Sequence, residues 1–377
     1  MKTLIELYDE RPIENLLSAD VFKPETVIYL CPTEAAQSKQ IQGRIRSYLD
    51  KRHPGIQVVF LETSRYYTDK VERQLERIID EYEDCAIDIT GGSDNVLFAA
   101  GKVSASRNIS VFTYSSTKNK FFNISNAEFA DGIECVSLYK ISDFIEMAGG
   151  KADVGRVNYD DLMSHLDYVG PLFEVFMKYR TKWNKIVSWM QKVSRDGGLD
   201  VTDVQLSADA GSGRRVFCPR SCLEDLYERG LILNLTLDDK ASFSFPDKQI
   251  RFWLRDVGSA LEVFTFKNML DSGVFDEYKC SVIVEWEGHD SEKTIYNEVD
   301  VMALQGITPY FVSCKACKIN TYALNELEIL RDRFGGEGAE AVLVSSETCS
   351  NATRNRARAL NIEIVDYNDI RRNLDNG

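Results

Sequence analysis

Along the first 150 residues the apolar positions fall into short runs separated by longer amphipathic stretches. Thr3–Tyr8, Thr26–Cys31, Gln57–Leu61, Cys85–Thr90 and Ile109–Tyr114 have the near-continuous hydrophobicity of strands covered on both faces. Thr33–Arg52, Tyr67–Tyr82 and Asp94–Ser104 between them carry helical spacing. Such alternation predicts a parallel sheet with helices on both sides. Past Gly149-Gly150 the pattern becomes helical (Tyr159–Tyr168, Pro171–Gln191, Arg220–Arg229) and closes on two strands, Leu231–Leu237 and Ala241–Phe245. From Gln249 it reads helix (Gly258–Leu270), three strands, helix (Asn320–Phe334), strand (Ala341–Ser345), helix (Ala352–Ala359) and strand (Glu363–Asp366). The expected fold class is α/β in three units: a Rossmann-like sheet over 1–150, a helical, winged-helix-like connector over 151–250, and a second α/β domain over 251–377.

Composition narrows the chemistry. A hydrophobic content of 44% with only 8 prolines predicts a folded chain without long disordered stretches. The net charge of −14 argues against charge-driven coating of nucleic acid, though not against a local basic groove. Nine cysteines without paired spacing and no signal peptide lead us to expect a reducing cytoplasm, and no apolar run is long enough for a membrane span. Three histidines, His53, His165 and His289, give poor support to multi-histidine metal sites or Ser-His-Asp catalysis. Chemistry is left to carboxylates, lysine and a metal ion.

The hairpin Tyr296–Lys318 supplies those groups. Two strand-like runs, Tyr296–Ala303 and Tyr310–Ala316, flank the turn signal Gln305-Gly306. Alternation puts Glu298 with Asp300 on one face, and Ser313 with Lys315 on one face of the second strand. Two carboxylates and an ammonium at one spot suit a divalent metal and a phosphodiester; they suit equally an exposed cross-strand ion pair.

In a doubly wound sheet, ligands bind where strand order reverses, here between the first and fourth strands. The loops to watch are Tyr8–Asn15 and Thr90–Asp94. The second, in DITGGSDNVLFAAG, runs from a strand through two glycines into a helix. Glycine allows close backbone approach to a phosphate, and the helix N-terminus offers free N–H groups. The same residues would also make a plain turn with Ser93 or Asp94 as helix cap. A basic stretch, Lys178 to Arg195, holds Lys182 and Lys185 among Tyr179, Trp183 and Trp189. It reads either as a nucleic-acid surface or as an amphipathic helix with buried aromatics. Arg354, with Arg356 and Arg358, is a weaker backbone-groove candidate.

The strand-TGG-Ser-helix element, with Cys31-Pro32-Thr33-Glu34, resembles the CARF domain, the CRISPR-associated Rossmann-type sensor. The resemblance implies a homodimer binding cyclic oligoadenylate, expected to be the tetra-adenylate, across its two-fold axis. Thr90, Gly91, Gly92, Ser93 and Asp94 would meet the ligand, with Asp9, Pro12, Asn15, Pro32 and Thr33 completing the pocket and Ser115–Lys118 as a further wall. From Gln249 onward the order resembles the restriction-endonuclease-like core with its PD-(D/E)xK site. Asp300 matches the first acid and Lys315 the lysine, which implies Mg or Mn. Ser313 stands where that family carries Asp or Glu, so a neighbouring acid, Glu326 or Glu262, has to substitute, with Glu298 assisting. Both halves together resemble the CARF nucleases of type III CRISPR systems. The implied activity is cyclic-oligoadenylate-activated, metal-dependent cleavage of single- or double-stranded DNA or RNA in antiviral defence. Two readings compete: a metal-independent HEPN-type RNase, with one formal Arg46…His53 match, and a CARF-regulated transcription factor reading DNA through the connector.

Overall fold

The computed structural model describes residues 1–376 apart from 12, 136–138, 156, 196, 210, 212–214, 288–294 and 337, with the backbone alone at 371 and 373–376. Pro12 and His289 thus lie outside the described residues.

Strands β1 (Thr3–Leu7), β2 (Thr26–Cys31), β3 (Gln57–Glu62), β4 (Cys85–Asp88) and β5 (Ser110–Ser115) are parallel, and β6 (Lys120–Ser125) closes the edge antiparallel to β5. The order is β3-β2-β1-β4-β5-β6, so strand order reverses between β1 and β4. Every residue of β1 and β2 is buried, as strands covered on both faces require. Helices α1 (Glu14–Phe22), α2 (Thr33–Gln37), α3 (Lys39–Arg52), α4 (Thr68–Glu81), α5 (Asp94–Arg107) and α6 (Ile141–Met147) cover them. The amphipathic run 33–52 is two helices rather than one, because the Ser38 hydroxyl accepts from Ile41 N–H and caps the second. Asn15, expected in a loop, belongs to α1.

The chain then enters the C-terminal sheet before the connector begins. Strand β7 (Lys151–Asp153) pairs with β13 (Glu277–Glu285). Gly149-Gly150 is therefore packed rather than a loose linker: a Cβ at Gly150 would lie 2.6 Å from Glu285 O and 2.6 Å from the Phe334 ring. The connector holds α7 (Tyr159–Ser164), α8 (Leu166–Tyr179), α9 (Trp183–Val193), β8 (Asp200–Val204), the hairpin β9 (Ser207–Asp209) and β10 (Arg215–Phe217), α10 (Arg220–Glu228), β11 (Leu233–Leu237), β12 (Ala241–Ser244) and α11 (Lys248–Trp253). Antiparallel β11-β12-β8 against these helices gives the winged-helix-like arrangement.

Helix α12 (Ser259–Asp271) leads into β13, β14 (Tyr296–Gln305), β15 (Thr308–Lys315), α13 (Thr321–Phe334), β16 (Glu340–Ser345), α14 (Asn351–Ala359), β17 (Ile362–Val365) and α15 (Tyr367–Asn376). The sheet order is β17-β16-β15-β14-β13-β7. One side (Val282, Val299, Phe311, Leu343) packs with Leu327 and Phe334 of α13 and continues into the core under the N-terminal sheet, at Leu16, Tyr29 and Phe121. The opposite side (Cys280, Val301, Val312, Cys314) packs with Leu261 and Phe266 of α12 and with the connector, at Phe176 and Trp183. The helices α12 and α13 therefore serve different faces, which decides the site.

Candidate active site

The β14–β15 ladder runs from Gln305↔Thr308 to Val301↔Val312 and stops there. In the gap beyond, the Asp300 carboxylate replaces the missing backbone partner. Its Oδ2 accepts from Cys314 N–H at 2.6 Å and Ser313 Oγ at 3.2 Å, with Lys315 Nζ 3.9 Å away. On the other flank, β13 is irregular at Ser281 (φ 51), where the pairing with β14 skips from Cys280↔Val301 to Val282↔Val299. Cys280 packs with the α12 side, whereas Val282 and Val284 pack with the α13 side. The strands exchange faces beside Asp300, and Ser281 Oγ donates to the Glu298 carboxylate.

Helix α12 brings the next acid. Asp256 caps it, accepting from Gly258 N–H at 3.0 Å and from Ser259 N–H and Oγ at 2.8 and 3.0 Å. Thr265 takes a 3.5 Å hydrogen bond from the Cys314 thiol, seating the helix on β15. One turn earlier, Glu262 folds over Gly258, where a Cβ would come within 2.1 Å of Glu262 Oε1. Burial, then Asp300, Asp256 and Glu298, push the Glu262 carboxyl up to about 8 against the pull of Lys315. Asp300 is also raised, by burial first, although Lys315, Cys314 N–H and Ser313 favour its charged form. Four acids thus share one neighbourhood with one ammonium. Their hard oxygens and unbalanced negative charge fit a divalent cation. Among the described residues no three His, Cys, Asp or Glu are already grouped as a metal cage.

The other acid proposed from sequence lies elsewhere. Glu326 Oε1 accepts from Asn297 Nδ2 at 2.8 Å, and Asn297 Oδ1 accepts from Trp286 Nε1 at 2.7 Å. Asn297 alternates with Glu298, so Glu326 serves the α13 face and does not meet Asp300. Asp256 was not foreseen; its only signal was a position just before the helix that carries Glu262.

The switch-point loops divide into holders and liners. Thr90 Oγ1 donates to Asp88 Oδ1 at 2.5 Å and accepts from Tyr114 N–H at 2.8 Å, so its hydroxyl fixes the turn. A Cβ on Gly91 would lie 2.3 Å from Leu7 O, and Gly92 has φ +95. Buried Asn15 accepts from Asp9 N–H and donates to Asp9 O and Arg11 O, clasping the first loop. Thr33 Oγ1 donates to Glu62 at 2.8 Å. Ser93 caps α5 with extended backbone, and Asp94 lies in its first turn. Asp9, Pro32, Gly92 and Ser93 line a cavity of about 910 Å³, together with Arg11 and Arg65, which sequence reasoning missed. A further wall comes from the C-terminal domain, with Arg331 and Asp332 of α13.

Lys182 and Lys185 are exposed, but Trp183 and Trp189 are core residues and offer bases no platform. Arg354 is engaged by Asp366 (2.6 Å) and Asp369 (3.0 Å), tying α14 to α15. The Arg46…His53 pair has separate structural partners: Arg46 donates to Val58 O, and His53 Nε2 is 2.7 Å from Asp20 Oδ1.

The part of the chain that carries this acid–lysine site matches an endonuclease domain, which makes the chain a nuclease. More particularly, residues 248–376 match the family model of the Card1-like endonuclease domain. No curated protein matches the chain. Solved structures that share its fold over nearly its whole length include the following two. Protein VC1899 from Vibrio cholerae aligns with a TM-score of 0.73 at 17% identity, covering 97% of this chain and 94% of its own. Can2 from Sulfobacillus thermosulfidooxidans, solved in complex with cyclic tetra-adenylate, aligns with a TM-score of 0.70 at 15% identity, covering 97% and 93%.

Proposed function

We propose that this chain is a cyclic-oligoadenylate-activated, metal-dependent endonuclease of type III CRISPR defence, acting as a homodimer. The observation that carries the reading is the Asp300–Lys315–Glu262 cluster, set within the residues that match the Card1-like endonuclease domain. Asp300 and Glu262 would hold Mg or Mn, with Glu298 as a further oxygen donor. A bound cation supplies Lewis acidity and a more acidic water. Lys315 steadies charge developing on the scissile phosphate from its place beside Asp300. Ser313, standing where the restriction-like pattern has an acid, acts as a hydrogen-bond donor that orients Asp300. The activator reading is supported by the fold shared with Can2, whose structure holds cyclic tetra-adenylate. It is supported too by the glycine turn at the switch point, which suits an anionic ring. A ring bound across a two-fold axis calls for two copies of the chain.

The test is cleavage of single-stranded and supercoiled DNA and of RNA, with each cyclic oligoadenylate and with Mg²⁺, Mn²⁺ or EDTA. Cutting only when both activator and cation are present is expected. Cutting in EDTA would remove the metal from the reading, and cutting without any ring would remove the activator.

A further inference from the structure

In a strongly acidic chain, one cleft beside the catalytic acids is basic. Helix α9 and the α11–α12 junction frame an open cleft of about 610 Å³ lined by Lys192, Arg195 and Arg255, together with Phe252 and Asp256. Asp256 Oδ2 would lie 3.5 Å from a Cβ on Gly258, and Glu262 Oε1 2.1 Å from the same point. The cleft therefore borders the acid cluster at Asp256. Gln191 Nε2 donates to Arg255 O at 2.7 Å, joining the connector helix to the junction. Arg251 Nη2 donates to Ser194 O at 2.6 Å, yet Nε of both Arg251 and Arg255 is buried without a hydrogen-bond partner. Burial, and then the neighbouring Arg251, work against the charged form of Arg255. Phe252 beside them is 58% exposed, a large ring left in water at a site where its neighbours Trp253 and Leu254 are buried.

We propose that this cleft is the track by which single-stranded nucleic acid reaches Asp300. Lys192, Arg195 and Arg255 would hold backbone phosphates, and Phe252 would stack an unpaired base. The occupant is single-stranded because a ring can stack only on bases freed from a duplex. The track lies at the end of the basic stretch noted in the sequence, but on its far side. The tryptophans near Lys182 and Lys185, Trp183 and Trp189, are core residues, whereas Lys192 and Arg195 gain an exposed aromatic from α11. The inference rests on the nuclease reading proposed above and adds to it a route.

The test uses the full chain carrying D300N, with Mg²⁺ and cyclic tetra-adenylate, and a fluorescein-labelled single-stranded 20-mer of DNA or RNA followed by anisotropy at several salt concentrations. Replacing Lys192, Arg195 and Arg255 by Gln should weaken binding at least ~10-fold. It should also reduce the slope of log K against log salt by about 2, at roughly 0.7 per single-strand phosphate contact. F252A should weaken single-strand binding by roughly 5- to 100-fold while leaving duplex binding and the salt slope unchanged. Melting temperature and cyclic tetra-adenylate binding of these variants should match the parent, which separates a lost track from a lost fold. If the parent binds the 20-mer and the triple variant binds it equally well with the same slope, the track is overturned while the nuclease reading stands. If the parent binds no nucleic acid, both fall.

Discussion

Asp300 accepts a hydrogen bond from the backbone N–H of Cys314, 2.6 Å away, across the gap where β14 and β15 have parted. The carboxylate proposed as catalytic thus also does a structural job, standing in for a strand–strand hydrogen bond. The gap exposes it to Lys315 and turns it toward α12.

The two jobs can be separated. In D300N the amide oxygen still accepts from Cys314 N–H, but the charge is gone. Cleavage should fall at least ~100-fold, the order seen when one preorganised electrostatic partner is removed, with little change in melting temperature. D300A should lose activity equally and in addition strand the Cys314 N–H, costing about 1–3 kcal/mol. Parallel activity assays and urea titrations of the two variants check this. Retained metal-dependent cutting by D300N would remove Asp300 from the site.

Glu262 and Glu326 are distinguished by the face each helix serves. E262Q should abolish cleavage, because Gln cannot supply a charged oxygen beside Asp300. E326Q should stay within about three-fold of the parent, since its carbonyl still accepts from Asn297, a neutral hydrogen bond worth only about 1 kcal/mol. Turnover at saturating Mn²⁺ reads out both, and the opposite ranking would move the metal to the α13 face.

The glycine turn should tolerate nothing larger. G91A drives a Cβ against Leu7 O and Asp9, an overpacking that costs roughly 1–3 kcal/mol and pushes the two switch-point loops apart. Calorimetric titration with cyclic tetra-adenylate should show at least ~10-fold weaker binding, by 1.4 kcal/mol per decade, while cleavage-site residues are untouched. Unchanged affinity would separate these loops from the activator.

Glu6 gives a pH dependence of known sign. It is 1% exposed on β1, in register with Tyr29 and Asp88. Burial, then Asp88, Asp9 and Glu14, hold its carboxyl well above the usual range. The folded chain keeps the proton that the unfolded chain releases, so its contribution is complete below the unfolded value near 4.5. Stability is lost as pH rises through the folded value, by up to about 1.4 kcal/mol per pH unit. E6Q should flatten this decline. Urea unfolding of both chains from roughly pH 5 to 9 should show a gap in favour of E6Q that widens with pH; a constant gap would mean that Glu6 titrates normally.

Much of this was legible along the chain because strand and helix periods are local properties. The order of elements, the switch point between the first and fourth strands, the Gln305-Gly306 turn and the pairing of Asp300 with Lys315 all follow from alternation and turn chemistry. Boundaries failed where a side chain intervened, as when Ser38 splits one amphipathic run into two helices. The connector's start was misplaced because a three-residue strand such as β7 carries too little pattern to announce which sheet it joins.

The sequence by itself determined that carboxylates and a lysine would converge on a hairpin, and that a glycine turn would sit at a sheet's switch point. Only the tertiary structure decided which helix brings its acid beside Asp300. Helical spacing shows that Glu262 and Glu326 each lie near a buried stripe, but it does not say which side of the sheet that stripe covers. That choice follows from long-range packing: the α12 stripe meets Cys314 and Val301, and the α13 stripe meets Val299 and Phe311. The splaying of β14 from β15, with Ser281 in a left-handed conformation on the other flank, then turns Asp300 toward α12 and leaves Glu326 with Asn297.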